Sequence, residues 1–255
     1  MTAAANDAKS RSGGVQSIER VFTLLELMAD RGGTMGLSEL SVESGLPLPT
    51  IHRLVRTLVD LGYLRQDAAR RYTLGPKLVR LGESSSRLVG GWALPHLAGL
   101  VDDLGESANI AMLDGDRVVY VAQAPSRHSM RMFTEVGRRV LPHCTAVGKA
   151  MLAQLPEDEV LGILGRTGMP SHTEHTLTEP EAFLRQLVRC AHDGYALDEE
   201  EQEVGVRCVA VPVAHPSLRL AISVSGPAGR MSEALVERAV PLLQHAAGRL
   251  SLDLV

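Results

Sequence analysis

From residue 38 to 62 the chain reads SELSVESGLPLPTIHRLVRTLVDLG, a short segment, a Gly-Leu-Pro turn and a longer segment in which Ile51, Leu54, Val55 and Leu58 recur at helical spacing. The pattern predicts two helices meeting at a tight corner. Ser38 is placed to cap the first and Gly45 to end it, while Pro49 suits the first position of the second and Gly62 its exit. Upstream, VQSIERVFTLLELMADRGG sets Ile18, Val21, Phe22, Leu25 and Met28 on one helical face before a Gly-Gly stop. Downstream, GYLRQDAARRYTLG predicts two short strands, 63–66 and 71–74, joined by a basic hairpin.

The outward face of the second corner helix carries Thr50, His52, Arg53, Arg56 and Thr57, with Pro49 in its first turn. A short helix, a glycine-containing turn and a helix with such a face are the parts of a helix-turn-helix, whose second helix enters the DNA major groove, and the hairpin supplies a wing. Arg53, Arg56, Arg65, Arg70, Arg71 and Lys77 outnumber Asp60 and Asp67 over this stretch. Arg53 or Arg56 can read guanine edges, and the wing arginines Arg65, Arg70 and Arg71 are expected on phosphates.

Charge divides the same way. The net charge of −4 hides 12 Lys and Arg against 9 Asp and Glu in residues 1–90, and 14 against 21 in the remainder. A basic unit joined to an acidic one points to two different partners. With one Trp, four Tyr and three Phe, the chain lacks the rings for a base-stacking platform, which argues against single-stranded RNA. Cys144, Cys190 and Cys208 are an odd set without CxxC spacing, expected of a reducing cytoplasm. The longest uncharged stretch, residues 88–101, contains glycines, Pro95 and His96 and is too short for a membrane span.

VQSIERVFTLLELMA, LSELSVESGLPLPTIHRLVRTLVDLGYL and RRYTLGPKLVRLG resemble the winged helix-turn-helix of the IclR family of bacterial transcription regulators. Further along, LPHCTAVGKAMLAQLP, GYALDEEEQEVGVRCVAVPV and LAISVSGPAGRM resemble successive blocks of that family's effector-binding domain. The run SMRMFTEVGRRVLPH is most similar to regulators of allantoin and glyoxylate metabolism.

Four segments are therefore expected: a flexible tail over 1–14, an all-α winged helix-turn-helix over 15–75, a linker helix over 76–90, and an α+β effector-binding and oligomerisation domain over 91–255. For the last, the resemblance implies a GAF-like or PAS-like fold. Its sequence predicts a hairpin at Asp114-Gly115, strands at 129–133, 209–213 and 219–225, and helices at 146–155, 157–164, 180–192 and 232–250.

Within it, Thr145 can cap the following helix, leaving the N–H groups of Ala146, Val147 and Gly148 as a carboxylate-binding end. The alternative is that small residues there only allow close packing. Period-two alternation sets Ser223 and Ser225 on one face, and Asp198, an acceptor when ionised, favours hydroxy, hydrated-aldehyde or ureido acids. The remainder of 199–203 reads as a solvated acidic surface. The resemblance carries the family's effector contacts onto Met132, Val140, Ala146, Val147, Asp198, Cys208, Ser223 and Ser225.

The reading is a DNA-binding regulator, a repressor by expectation, controlled by a small carboxylate such as glyoxylate or allantoate, with no cofactor, catalytic residue or membrane partner. The competing readings are a thiol-dependent enzyme on a sensor-type fold, a winged helix that binds protein, and a metal site built from His143, Cys144, Asp198 and Cys208. One winged helix covers few base pairs, so a homodimer on a pseudo-palindromic double-stranded operator is the minimum. The resemblance implies a dimer of dimers.

Overall fold

The computed structural model describes residues 15–89, 91–132 and 134–254, and the chain divides into two compact units between Ser85 and Ser86. The tail expected over 1–14 lies outside the described residues.

In the first unit, α1 (Gln16–Asp30) buries Leu24 and Met28. The next helix, α2 (Leu37–Ser44), starts ahead of the predicted cap, because the Glu39 carboxylate accepts the Gly36 N–H at 2.8 Å and closes the first turn from inside the helix. Ser38 is therefore a helical residue. Gly45 ends α2 in the left-handed conformation (φ 68°) as expected. α3 (Leu48–Asp60) begins one residue before Pro49 and buries Ile51, Leu54, Val55 and Leu58, each worth on the order of 1.5–3 kcal/mol removed from water.

The wing is β2 (Leu64–Gln66) and β3 (Tyr72–Leu74), paired Leu64↔Leu74 and Gln66↔Tyr72. A two-residue strand, β1 (Thr34–Met35), pairs with the other edge of β3, so the unit holds a three-stranded sheet and is not all-α. Two residues are too few to show alternation in sequence. After the wing comes α4 (Lys77–Val89).

The second unit opens with α5 (Leu94–Leu104), then β4 (Ser107–Asp114) and β5 (Arg117–Ala124), joined at Asp114-Gly115 as predicted. No strand forms over 129–132; the segment after β5 is irregular until β6 (Arg139–Val140), and Phe133 lies outside the described residues. Three helices follow, α6 (Ala146–Leu152), α7 (Glu157–Thr167) and α8 (Pro180–Asp193). The chain closes with β7 (Ala196–Glu199), β8 (Val206–Val213), β9 (Leu220–Pro227) and α9 (Glu233–Asp253), the last capped by Ser232.

The strands form one antiparallel sheet in the order β6-β5-β4-β9-β8-β7. One face, with Ile110, Ile222, Val224 and Val209, packs on Leu97 and Leu100 of α5 and Ala239 and Leu243 of α9. The other bears alanines, Ala111, Ala196, Ala210 and Ala221, and their small size lets α6 lie close with Ala146, Val147, Ala150 and Met151. Helices on both faces of an antiparallel sheet make an α+β unit. Among the described residues no helix is long and apolar enough to cross a membrane.

Candidate functional site

Opposite its buried stripe, α3 exposes His52, Arg53, Arg56 and Thr57, with exposed Pro49 and half-buried Thr50 in its first turn. Thr57 Oγ1 donates to the Arg53 carbonyl at 3.0 Å. Among the described residues Arg53 and Arg56 make no ion pair or side-chain hydrogen bond, leaving both guanidinium groups open to an anion or a base edge.

The wing puts its cations to two uses. Arg65 on β2 is exposed, and so is Arg70, at the hairpin tip with φ 61°. There Asp67 accepts the Arg70 N–H on its carbonyl (3.0 Å) and the Arg71 N–H on its carboxylate (2.8 Å). Arg71, expected on phosphate, instead donates Nη2 to Glu39 (3.1 Å) and to the Thr34 carbonyl (3.1 Å), fastening the wing to the corner between β1 and α2. Lys77 is likewise engaged, donating to the Leu61 carbonyl at 2.6 Å beyond the end of α3 with its Nζ 5.7 Å from the Tyr63 ring centroid.

In the second unit, register places Asp198 opposite Cys208, Cys208 opposite Ser225, and Ser225 opposite Ser107, one row across four strands. A cavity of about 50 Å³ lies at this row. The sheet contributes Tyr120, Val140, Asp198, Val206, Cys208 and Ser225; Thr145 lines it ahead of α6; Met132, Thr134 and Arg138 come from the segment between β5 and β6; Gln202 and Glu203 complete it. Met132, Val140, Asp198, Cys208 and Ser225 are thus brought together. Ala146, Val147, Gly148 and Ser223 are not among the residues that line it, although Ser223 shares the face of Ser225 and Ala146 directly follows the lining residue Thr145.

The segment that supplies Met132 is pinned at two points, from Ser107 on β4 and from Arg230 in the turn after β9. Ser107 Oγ donates to the Met132 carbonyl (2.9 Å) and accepts the Ser126 N–H (3.1 Å). Arg230 donates to the Met130 carbonyl (3.0 Å) while paired at 2.5 and 2.8 Å with Glu106, which is only 2 % exposed. On the floor, Asn109 Nδ2 donates to Ser225 Oγ at 3.0 Å.

At the start of α6, Thr145 Oγ1 accepts the Gly148 N–H at 3.2 Å. A Cβ on Gly148 would lie 2.2 Å from the Pro142 carbonyl oxygen, so the space beside this glycine is filled by backbone and its N–H is already bonded. Gly148 is a packing glycine in this arrangement, and only the N–H groups of Ala146 and Val147 remain without a partner among the described residues.

Asp198 accepts two backbone N–H groups on Oδ1, from Glu201 (2.8 Å) and Gln202 (3.4 Å), and Oδ2 has no partner among the described residues. Burial pushes its carboxyl up to about 7, against the pull of those donors and of Lys149. Lys149, in the apolar run AVGKAML, is wholly buried and paired with Glu201, itself 3 % exposed. Glu201 is therefore no part of a solvated acidic surface. Its turn is held by Thr173 and Thr176, which donate to the Glu200 (2.7 Å) and Glu201 (2.6 Å) carbonyls.

The thiols are not poised for chemistry. Burial pushes Cys144 up to about 12 and Cys208 well above its ordinary value, and Cys144 donates to Gln202 Oε1 at 2.9 Å. His143 is held below its ordinary value by burial, with Nε2 3.1 Å from the Pro170 carbonyl and Nδ1 buried without a partner. Among the described residues no three His, Cys, Asp or Glu side chains are grouped to hold a metal ion, and all three cysteines are free.

The sequence reading did not include Tyr120, Thr134, Arg138, Gln202, Glu203 or Val206, all of which line the cavity. Nothing in a strand's alternation reveals which loop residue reaches it. The Lys149–Glu201 pair did carry a signal, a lone lysine among small apolar residues, which a buried counter-ion explains.

Residues 17–68 match the family described as the IclR helix-turn-helix domain, and residues 85–252 the one described as bacterial transcriptional regulator IclR C-terminal. The transcriptional repressor IclR of Escherichia coli (strain K12) is 34 % identical over 94 % of this chain and 90 % of its own length. The HTH-type transcriptional repressor AllR of Salmonella typhi is 32 % identical over 86 % of this chain and 83 % of its own. Among solved structures, an IclR transcriptional regulator from Alicyclobacillus acidocaldarius superposes with a TM-score of 0.85 at 29 % identity, covering 94 % of this chain and 98 % of that one.

Proposed function

The chain belongs to the IclR family of bacterial transcriptional regulators, and on that premise we propose that it is a cytoplasmic repressor released from its operator by a small carboxylate. The observation that carries the DNA-binding half is the exposed face of α3, where Arg53 and Arg56 have no protein partner among the described residues. Both curated relatives are named repressors, which supports the sign of regulation.

For the effector, the GAF-like C-terminal sensor offers polar groups in a small volume. The cavity is small, about 50 Å³, and suits a short acid of two or three carbons. This favours glyoxylate over allantoate, whose ureido arms need more room. The ligand's hydroxyl or hydrated carbonyl faces Asp198 and Ser225, and its carboxylate turns toward Thr145 and the free N–H groups of Ala146 and Val147. Met132, Val140 and Cys208 supply wall. The residues on DNA are Pro49, Thr50, His52, Arg53, Arg56, Thr57, Arg65 and Arg70.

Exposed Val15, Ile18 and Phe22 form an apolar stripe along α1, which supports a homodimer on a two-fold operator. Helix α4, as the linker, relays the effector signal. Gel shifts on DNA carrying the protein's own promoter, beside a thermal-shift screen of two- to six-carbon acids and ureides, test the reading. A retarded complex and stabilisation by the shortest acids are expected. Absence of sequence-specific retardation would overturn the DNA-binding half, and stabilisation by allantoate alone would overturn the effector size.

A further inference from the structure

The cavity that receives the proposed effector already carries an unbalanced negative charge. On α6, Lys149 is the buried cation, and its one partner among the described residues is Glu201 on the turn after β7. That pair is neutral as a unit, so Asp198, 3 % exposed, is the excess charge. Among the described residues no other group provides Asp198 with a buried counter-ion. Cys208 on β8, Tyr120 on β5 and Cys144 ahead of α6 are all pushed toward their uncharged forms by burial. From the same face of β9 and β4, among the described residues, come Ser225, Ser223, Ser107 and Asn109, none of them charged. Arg138 and Glu203, of opposite sign, both line the cavity, with Arg138 exposed, and Glu199 is engaged by Arg207 at 2.7 Å.

An acid anion entering here adds a second negative charge beside the first, in a setting where unpaired charge is costly. Asp198 is built to resolve this. Its Oδ1 is fixed by two N–H donors, while Oδ2 is unbonded on a residue that lines the cavity. We propose that the effector enters together with a proton, held on Oδ2 of Asp198 and donated to an oxygen of the ligand, so that the site binds the acid with one proton taken up per anion. This rests on the carboxylate-effector reading and adds to it the charge state in which the ligand is recognised. The proton comes from bulk water and returns there on release, and no covalent bond changes.

The consequence is a regulator that responds to acid and pH together. A glyoxylate carboxyl is ionised throughout pH 6–8, so the only titration that matters is at Asp198, whose carboxyl is pushed up to about 7 in the empty site. Linkage then makes binding about tenfold weaker at pH 8 than at pH 6.

Calorimetry of glyoxylate binding to the full-length protein, repeated in buffers of different ionisation heat, measures the uptake directly. Near one proton per site is expected at pH 8 and little at pH 6, where Asp198 is already protonated. Asp198→Asn, which keeps an Oδ1 acceptor and an uncharged donor, is expected to bind with no such pH dependence. Binding at pH 8 without proton uptake would overturn the inference while leaving the effector reading standing. Failure of every short acid to bind wild type would overturn the effector reading itself, and the inference with it.

Discussion

Lys149 and Glu201 form an ion pair buried from solvent, the lysine 0 % and the glutamate 3 % exposed, with Glu201 Oε2 lacking any partner among the described residues. Removing one member leaves the other charged and desolvated, a loss of about 3–5 kcal/mol. Glu201→Gln or Lys149→Met should therefore lower the urea midpoint severely. The double variant should recover most of it. Single variants within about 1 kcal/mol of wild type would show that the pair is wetter than its burial indicates.

Gly148 faces the Pro142 backbone, where a Cβ would sit 2.2 Å from the carbonyl oxygen. An ordinary helical Gly→Ala gains roughly 0.5–1 kcal/mol, whereas overpacking costs about 1–3. Gly148→Ala should thus lower Tm. A rise in Tm would mean that the space is open and available to a ligand.

Arg70 and Arg71 are adjacent in sequence and differ in what they touch, since Arg71 is bonded to Glu39 and Thr34, whereas the Arg70 side chain has no partner among the described residues. Arg70→Ala should lower the salt slope of DNA binding by about one, as for a lost phosphate contact. Arg71→Ala should leave that slope unchanged and cost under about 1 kcal/mol of stability, its partners being half exposed. Arg53→Ala should weaken the operator by about 1–3 kcal/mol and relax one base position.

Asp198 also ties stability to pH. Its carboxyl is raised from 3.8 in the unfolded chain to about 7 in the fold, so the folded state holds the proton more tightly between those values. Its contribution is fully present below about pH 4 and is lost as pH rises to about 7. Asp198→Asn should gain on wild type progressively from pH 5 to 8 in denaturant titrations. A constant difference across that window would contradict the raised carboxyl.

Helix periodicity and turn chemistry made much of the first unit legible: the stripe from Ile51 to Leu58 and the Gly45 stop are local patterns that packing left intact. Where prediction failed, a contact distant in sequence decided. Strand β1 exists only because β3 offers an edge, and the contacts of Arg71 to Glu39 and Thr34 are ones no local pattern announces. In the second unit, the alternation of Ser223 and Ser225 gave their shared face, yet only Ser225 reaches the cavity. Strand β7 was missed because Ala196–Glu199 is short and runs into the acidic stretch 199–203, which read as surface; pairing with β8 sets it in the sheet and buries Asp198.

In the proposed mechanism a small acid bound at the Asp198–Cys208–Ser225 row releases DNA from the α3 face. Fluorescence anisotropy on a duplex carrying the protein's own promoter, titrated at fixed salt with and without saturating glyoxylate, tests it most directly. Release requires at least a tenfold loss of affinity, about 1.4 kcal/mol of coupling, and the loss should vanish in a variant whose calorimetry shows no acid binding. Equal or tighter DNA binding with the acid demonstrably bound would contradict the account.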